Sequence, residues 1–317
     1  MNKLKIAILL LFMISYIGII KRKQIEGVNM RDIVVINKKY DTQAENLNKA
    51  KKVKNDEFYT QYSDIKKELE HYDKDKFKNK VIYLPCDRPQ SNFVAYFKEH
   101  YEDYKYKELV YTYIAREENE EVFAYSFDGK NEIKTKLNGN GAFQSDECIS
   151  IMKRADWVIT NPPFSILGIF IDQLTTLKKK FIICVPLTKL KDNNVFEKIK
   201  NKELYTGYTH LTYFLDNNNN IASVNVLWLT TEKINKVKQT KKLTYKLVKY
   251  DNYNALECSK LIYLEDIIAR GLKGTFGVPI TILDSYIMYL PNIEVIDKIR
   301  PTINGKKLYD RIRIKIK

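Results

Sequence analysis

The amino-acid sequence predicts an α/β fold built on a doubly wound sheet. From about Lys80 to Leu187, runs rich in β-branched and aromatic residues alternate with segments of helical spacing, the pattern of strands joined by crossover helices. Two of those runs, Trp157–Ile159 and Phe181–Val185, are apolar throughout and read as buried strands. Each runs into proline, at Pro162-Pro163 and at Pro186, which continues neither a helix nor a ladder. A polar turn beyond the carboxyl end of a strand is where open α/β sheets bind ligands.

In chain order, an unbroken and mostly apolar run comes first, Ile6 to Ile20, between Lys3, Lys5 and Lys21-Arg22-Lys23. It is short for a spanning helix, which takes about 20 residues. Three readings compete: a membrane tether through residues 4–20, a signal peptide, or an extension upstream of a start at Met30. The last is preferred, because every later feature belongs to a cytoplasmic enzyme. Arg31 to Asn55 is a polar, Lys-rich arm. Residues 1–50 are therefore set apart from a core at 51–190 and from a region at 191–317 that supplies the remaining strands.

Asp56 to Tyr62 interrupts the polar run with aromatics, and a helix follows from Ser63 as N-cap through Ile65, Leu69 and Tyr72. Lys80 to Leu84 is a strand, Pro85 to Phe93 a loop, and Val94 to Tyr101 a helix. That succession places a cofactor at a helix N-terminus, although no GxGxxG is present. Asp87 reads equally well as a cap or turn residue. The strand Glu108–Ile114 leads to a charged connection whose acids, Glu117, Glu118, Glu120 and Glu121, are all candidates to reach a ribose. Asp128-Gly129-Lys130-Asn131 joins Val122–Phe127 to Glu132–Leu137 as a hairpin. After the turn Asn138-Gly139-Asn140-Gly141, Ser145 caps a helix through Glu147, Ile149 and Met152. Ser165 to Leu177 has the spacing of a helix covering one sheet face.

Lys189 to Asn220 reads as a polar loop, and Ile221–Thr230 and Leu243–Tyr250 as strands. Between those strands Lys233, Lys236, Lys238, Lys241 and Lys242 offer either phosphate contacts or a solvated face. Arg311 to Lys317 alternates strictly and is a half-exposed basic strand.

The formal net charge is +15 and the pI about 9.3, a balance that favours a polyanionic partner over a merely basic surface. The four cysteines form no CxxC pair, which argues against a zinc site and for free thiols in a reducing compartment. The three histidines show neither ligand nor triad spacing.

The turn Asn161-Pro162-Pro163-Phe164 carries the chemistry. It matches the Asn-Pro-Pro-(Tyr/Phe) motif of amino-methyltransferases that use S-adenosylmethionine. An exocyclic amine conjugated to a ring is a poor nucleophile. The Asn161 amide oxygen and the Pro162 carbonyl can accept its two hydrogens and direct its lone pair at a sulfonium methyl. Phe164 offers a flat face for a planar base. Transfer then needs positioning rather than a metal or a covalent intermediate. The bland alternative for these residues alone is a proline-rich turn after a strand.

Seven ordered blocks extend the likeness: KNDEFYTQY at Lys54–Tyr62, CDRPQSNF at Cys86–Phe93, TNPPFS at Thr160–Ser165, LWLTT at Leu227–Thr231, KYDNYNA at Lys249–Ala255, GVPIT at Gly277–Thr281 and INGK at Ile303–Lys306. Together they resemble the adenine-specific DNA methyltransferases of the EcoRI modification-methylase family, over roughly Lys51 to Lys317. The resemblance implies a Rossmann-like methyltransferase sheet with a smaller C-terminal target-recognition region. It implies that S-adenosylmethionine lies among Asp56, Phe58, Tyr59 and Thr60 and among Cys86, Asp87, Pro89, Ser91, Asn92 and Phe93, with the target adenine at Asn161 to Phe164. The implied partner is double-stranded DNA, and the enzyme is either the modification arm of a restriction-modification system, with a cognate endonuclease, or an orphan methylase. At Asn140 and Ala142 the chain departs from the family's acidic pattern, and its 189–221 segment is shorter. The rival readings are a methyltransferase acting on RNA or on a protein glutamine amide, and a non-catalytic DNA-binding remnant.

Overall fold

Side chains alternate between the faces of a strand, so a strand covered on both faces is apolar at nearly every position. β1 (Val81–Leu84), β5 (Trp157–Thr160) and β6 (Lys180–Pro186) meet that condition. Tyr83, Val158 and Ile183 enter one core, while Ile82, Leu84, Trp157, Ile159 and Cys184 enter the other. Burying each large apolar side chain contributes roughly 1.5–3 kcal/mol.

The computed structural model describes residues 60–211, 214–215, 221–222, 225–236, 247–253, 256–258, 271 and 273–317. The chain divides into two units, Met1–Val53 and Lys54–Lys317, and all described residues belong to the second. The readings made for the apolar run, the polar arm and Asp56 to Tyr59 fall outside them.

The main sheet adds β2 (Glu108–Tyr111), β3 (Phe123–Phe127), β4 (Glu132–Lys136), β7 (Tyr205–Leu211) and β10 (Val226–Thr230), in the order β4-β3-β2-β1-β5-β6-β10-β7. Pairing is parallel through β2, β1, β5 and β6. It turns antiparallel at both margins, through the expected β3–β4 hairpin on one side and β10 and β7 on the other. A small hairpin, β8 (Phe214–Leu215) and β9 (Ile221–Ala222), precedes β10.

Helices cover both faces, as a doubly wound sheet requires. α1 (Tyr62–Leu69), α2 (Asn92–Glu99) and α3 (Tyr101–Tyr104) bury Leu69, Phe97 and Tyr104 on one side. α4 (Asp146–Arg154), α5 (Leu167–Thr176) and α6 (Asn193–Lys200) bury Met152, Phe170 and Phe196 on the other. Ser91 and Ser145 cap α2 and α4 by accepting from Val94 N and Cys148 N, at 3.1 and 3.3 Å. Such caps contribute about 1 kcal/mol each.

A second sheet packs into the α4–α6 core through Phe276, Val278, Ile312 and Ile314. Its strands are β11 (Leu247–Lys249), β12 (Leu256–Cys258), β13 (Gly274–Pro279), β14 (Ile293–Ile299) and β17 (Arg311–Ile316), ordered β11-β12-β13-β17-β14. The alternation read in the tail holds, with Ile312, Ile314 and Ile316 inward. Between β14 and β17 stands a two-stranded hairpin, β15 (Thr302–Ile303) and β16 (Lys306–Lys307).

Three local expectations are corrected. The 189–220 segment is not one loop: it contains α6, whose Val195, Phe196 and Ile199 are buried, and the edge strand β7. α1 starts at Tyr62 after Gln61, with Ser63 inside it, and ends at Leu69, so that Tyr72 lies past its end and donates its hydroxyl back to Glu68 at 3.0 Å. The run Ile221–Thr230 is two strands, and only β10 joins the main sheet.

Candidate active site

β5 ends at Thr160, and Pro162 and Pro163 divert the chain into a single 3₁₀ turn, Phe164–Ile166, before α5. Pro162 is buried, while Asn161, Pro163 and Phe164 are half-buried. The Asn161 amide oxygen is shielded from solvent. Phe164 packs against the cores on both faces, so it lies across the carboxyl edge of the sheet.

That edge is braced from the neighbouring strand. Asp87, three residues past β1, is 5% exposed and accepts a 2.7 Å hydrogen bond from Thr160 Oγ1. Burial pushes its carboxyl up to about 6, against hydrogen bonds with Thr160 and Ser91 that favour the anion. Its backbone N donates to Thr112 O at 2.9 Å, which joins the ends of β1 and β2. Among the described residues Asp87 has hydroxyl partners and no cation.

The segment before α1 is tied to the same place. Asn92 Nδ2 donates to Thr60 O at 2.8 Å, and Thr60 Oγ1 lies 4.0 Å from Cys184 Sγ on β6. Burial drives the Cys184 thiol well up, so it stays protonated. Thr60, Asp87, Ser91, Asn92, Thr160 and Asn161 therefore gather at the ends of β1, β5 and β6. Cys86 and Pro89 are half-buried in the β1–α2 loop. Phe93 is 2% exposed and meets Trp228 edge-on in the core, so it supports this loop from beneath.

Sequence reasoning missed a clamp beside this cluster. Arg88 donates to both carboxylate oxygens of Glu120, at 2.6 and 3.2 Å, and to Ile114 O at 3.1 Å, with its guanidinium 4.3 Å over Tyr113. Glu120 also accepts from Arg116 N at 2.6 Å, and the Arg88 guanidinium holds its carboxyl down at about 2. Of the acids in this connection, Glu120 is the one bound to the β1–α2 loop. The two partners stand 32 residues apart, and no local pattern links them.

The lysine run after β10 reads differently in structure. Lys236 is mostly buried and donates to Thr206 Oγ1 at 3.0 Å and to Asp284 Oδ1 at 2.5 Å. It joins the main sheet to the 3₁₀ turn after β13 and is not a free phosphate contact. Lys238, Lys241 and Lys242 lie outside the described residues. Cys86, Cys148 and Cys184 are free thiols. Among the described residues no group of three or more His, Cys, Asp or Glu side chains is placed to hold a metal ion. No helix among them is long and apolar enough to cross a membrane.

A family model described as the adenine-specific methyltransferase EcoRI matches residues 46–221. The chain is 33% identical to the type II methyltransferase M.EcoRI of Escherichia coli, over 86% of this chain and 96% of that protein. It is 32% identical to the type II methyltransferase M.MpnI of Mycoplasma pneumoniae, over 76% of this chain and 82% of that one. With the type II methyltransferase M.MgeORF184P of Mycoplasma genitalium it shares 38% identity over 51% of each. No solved structure matches it.

Proposed function

This chain belongs to the EcoRI family of adenine-specific methyltransferases and is a type II adenine-specific DNA methyltransferase, and from that premise we propose that methyl transfer takes place at the Asn161–Phe164 corner. The observation that carries the assignment is the bracing of this corner. Thr160, next to Asn161, is bonded to the buried Asp87 where β1 and β5 end side by side.

S-adenosylmethionine, when bound, supplies an electrophilic methyl on a cationic sulfur. A buried carboxylate that has only hydroxyl partners among the described residues suits a cation nearby. Thr60, Cys86, Asp87, Pro89, Ser91, Asn92 and Phe93 form or support that side, and the resemblance adds Asp56, Phe58 and Tyr59, which lie outside the described residues. On the other side, the Asn161 amide oxygen and the Pro162 carbonyl hold the amine of an adenine flipped from the duplex. Phe164 stacks on the base. Flipping costs a few kcal/mol, which stacking and phosphate contacts offset. No metal is needed for this transfer. The reading extends to a cytoplasmic enzyme of a restriction-modification system, with a cognate endonuclease as partner.

Asn161→Ala removes the acceptor without touching the brace. It should lower transfer of tritiated methyl to duplex DNA by at least about a hundredfold, with calorimetric affinity for S-adenosylmethionine nearly unchanged. Transfer at the wild-type rate would remove Asn161 from the mechanism. RNA and protein acceptors assayed in parallel, and long-read sequencing of DNA from expressing cells, identify the acceptor and its sequence context.

A further inference from the structure

We propose that the β15–β16 hairpin, with Arg300 and Tyr309 at its base, is an arm that grips duplex DNA beside the methylation corner. The inference rests on the function proposed above and names the element that holds its substrate.

The hairpin is stiff although it carries almost no core. Asn304 and Gly305 at its tip have φ of 50° and 70°, the left-handed pair that a tight two-residue turn requires. Neighbouring residues fix it from outside. Asp251 N donates to Thr302 O, and Gly305 N donates to Asp251 Oδ2, both at 2.9 Å. Thr302 N donates to Asn252 Oδ1 at 2.8 Å. Ile303 and Leu308 anchor it on a small cluster around Tyr250 and Ile299.

Such an arm presents cations and one ring to solvent. Lys306 and Lys307 are exposed, the Arg300 side chain is 86% exposed, and Tyr309 is 85% exposed. The carboxylates beside it are engaged in holding it, Asp251 as above and Asp310 with Arg300 at 3.1 Å. Exposed cations next to an exposed aromatic, on a chain of net charge +15, complement a phosphate backbone.

Its base is tied to the catalytic edge. Lys298 Nζ donates to Lys191 O at 2.6 Å, and Asp310 pairs with Lys191 at 3.8 Å. Lys191 belongs to the turn that leaves the carboxyl end of β6, the neighbour of β5. In the same turn, Lys189 Nζ lies 3.3 Å from where a Cβ on Gly168 would stand, in the first turn of α5 after Phe164–Ile166. The arm is thereby fixed to the turn that follows β6, the strand next to the one that ends before Asn161.

The test uses the full-length protein and a labelled duplex carrying the site that sequencing assigns to the wild type. In Lys306→Ala/Lys307→Ala, binding followed by fluorescence anisotropy should weaken about tenfold. The slope of log affinity against log salt should flatten by about 1.8, from about 0.9 per phosphate contact. Tyr309→Ala should weaken binding several-fold at unchanged slope. Affinity for S-adenosylmethionine and the melting temperature should stay at wild-type values, as should DNA binding by Lys134→Ala on the opposite margin of the sheet. Folded hairpin variants with wild-type affinity and slope overturn the assignment, as does a change confined to self-association in sedimentation. A wild type that neither binds nor methylates duplex DNA overturns the proposed function, and the arm with it.

Discussion

Asp87→Asn tests whether the residue under Thr160 is a buried carboxyl held by hydroxyls. In the folded protein burial raises Asp87 from an ordinary 3.8 to about 6. A raised acid binds its proton more tightly when folded. Its contribution to stability is therefore fully present below the unfolded value and is lost as pH rises through the folded one. Between about pH 4.5 and about pH 7 the shift corresponds to a loss of about 2 kcal/mol in the wild type, which the uncharged asparagine lacks. Urea unfolding of both proteins at the two pH values gives the double difference directly. The Asp87→Asn variant should gain about 2 kcal/mol relative to wild type on going to the higher pH. Parallel pH dependences would mean that Asp87 titrates like an exposed carboxyl, and the picture of a dry brace under Thr160 would fail.

Two further substitutions probe buried or paired charges, one beside the candidate site and one under β7. Arg88→Ala releases Glu120, Ile114 and the face of Tyr113 together. It should raise KM for S-adenosylmethionine about tenfold with a smaller fall in kcat, and Arg88→Glu combined with Glu120→Arg should recover part of the loss. An unchanged KM would make the clamp incidental. Glu68→Ala strips the acceptor from Tyr208 N and Thr209 N, bonded at 2.9 and 2.7 Å, and leaves a cavity under the α1–β7 contact. Equilibrium unfolding should show a loss of about 3–5 kcal/mol, with Glu68→Gln in between, whereas a change below about 1 kcal/mol would refute a structural role.

The central strands were legible because burial on both faces leaves a continuous apolar run, as in Val81–Leu84 and Phe181–Val185. The helix start at Ser145 was legible because capping is local chemistry, whereas α2 begins at Asn92 under the Ser91 cap, two residues before the Val94 start read from the sequence. α6 and β7 were not legible. The apolar residues of α6 keep helical spacing, but the lysines and asparagines between them dominate the composition. β7 is an edge strand of tyrosine, threonine, glycine and histidine, docked partly by a buried glutamate 140 residues earlier in the chain. At the candidate site the motif pointed to Asn161 and the family resemblance to the loop around Asp87, and the structure brings these segments together at the ends of β1 and β5. Neither could give Arg88–Glu120, because that pairing exists only once β1 and β2 lie side by side.

The same distinction between local and assembled order bears on Asn140 and Ala142, where the resemblance leads one to expect acidic residues. A decayed loop would have lost its scaffold, and this one has kept it. Asn140 O accepts from Ala115 N at 2.8 Å, and Asn140 Oδ1 accepts from Ala142 N at 3.1 Å. The Glu147 carboxylate takes Asn138 N at 3.1 Å and Gly139 N at 2.9 Å, so α4 supplies the acid that shapes the turn. At Gly141, φ is +74°, and a Cβ would sit 2.0 Å from Tyr113 O, which leaves glycine as the residue that fits. None of these bonds needs a carboxylate at 140 or 142. The geometry of the loop is therefore built without acids at 140 and 142, and any charged contact that the resemblance implies there is a matter of affinity alone. A lost charged hydrogen bond costs about 1.5–3 kcal/mol, enough to weaken a ligand by one or two orders of magnitude. That is a change in affinity at a site that is still built, and it gives no reason to read the chain as a remnant.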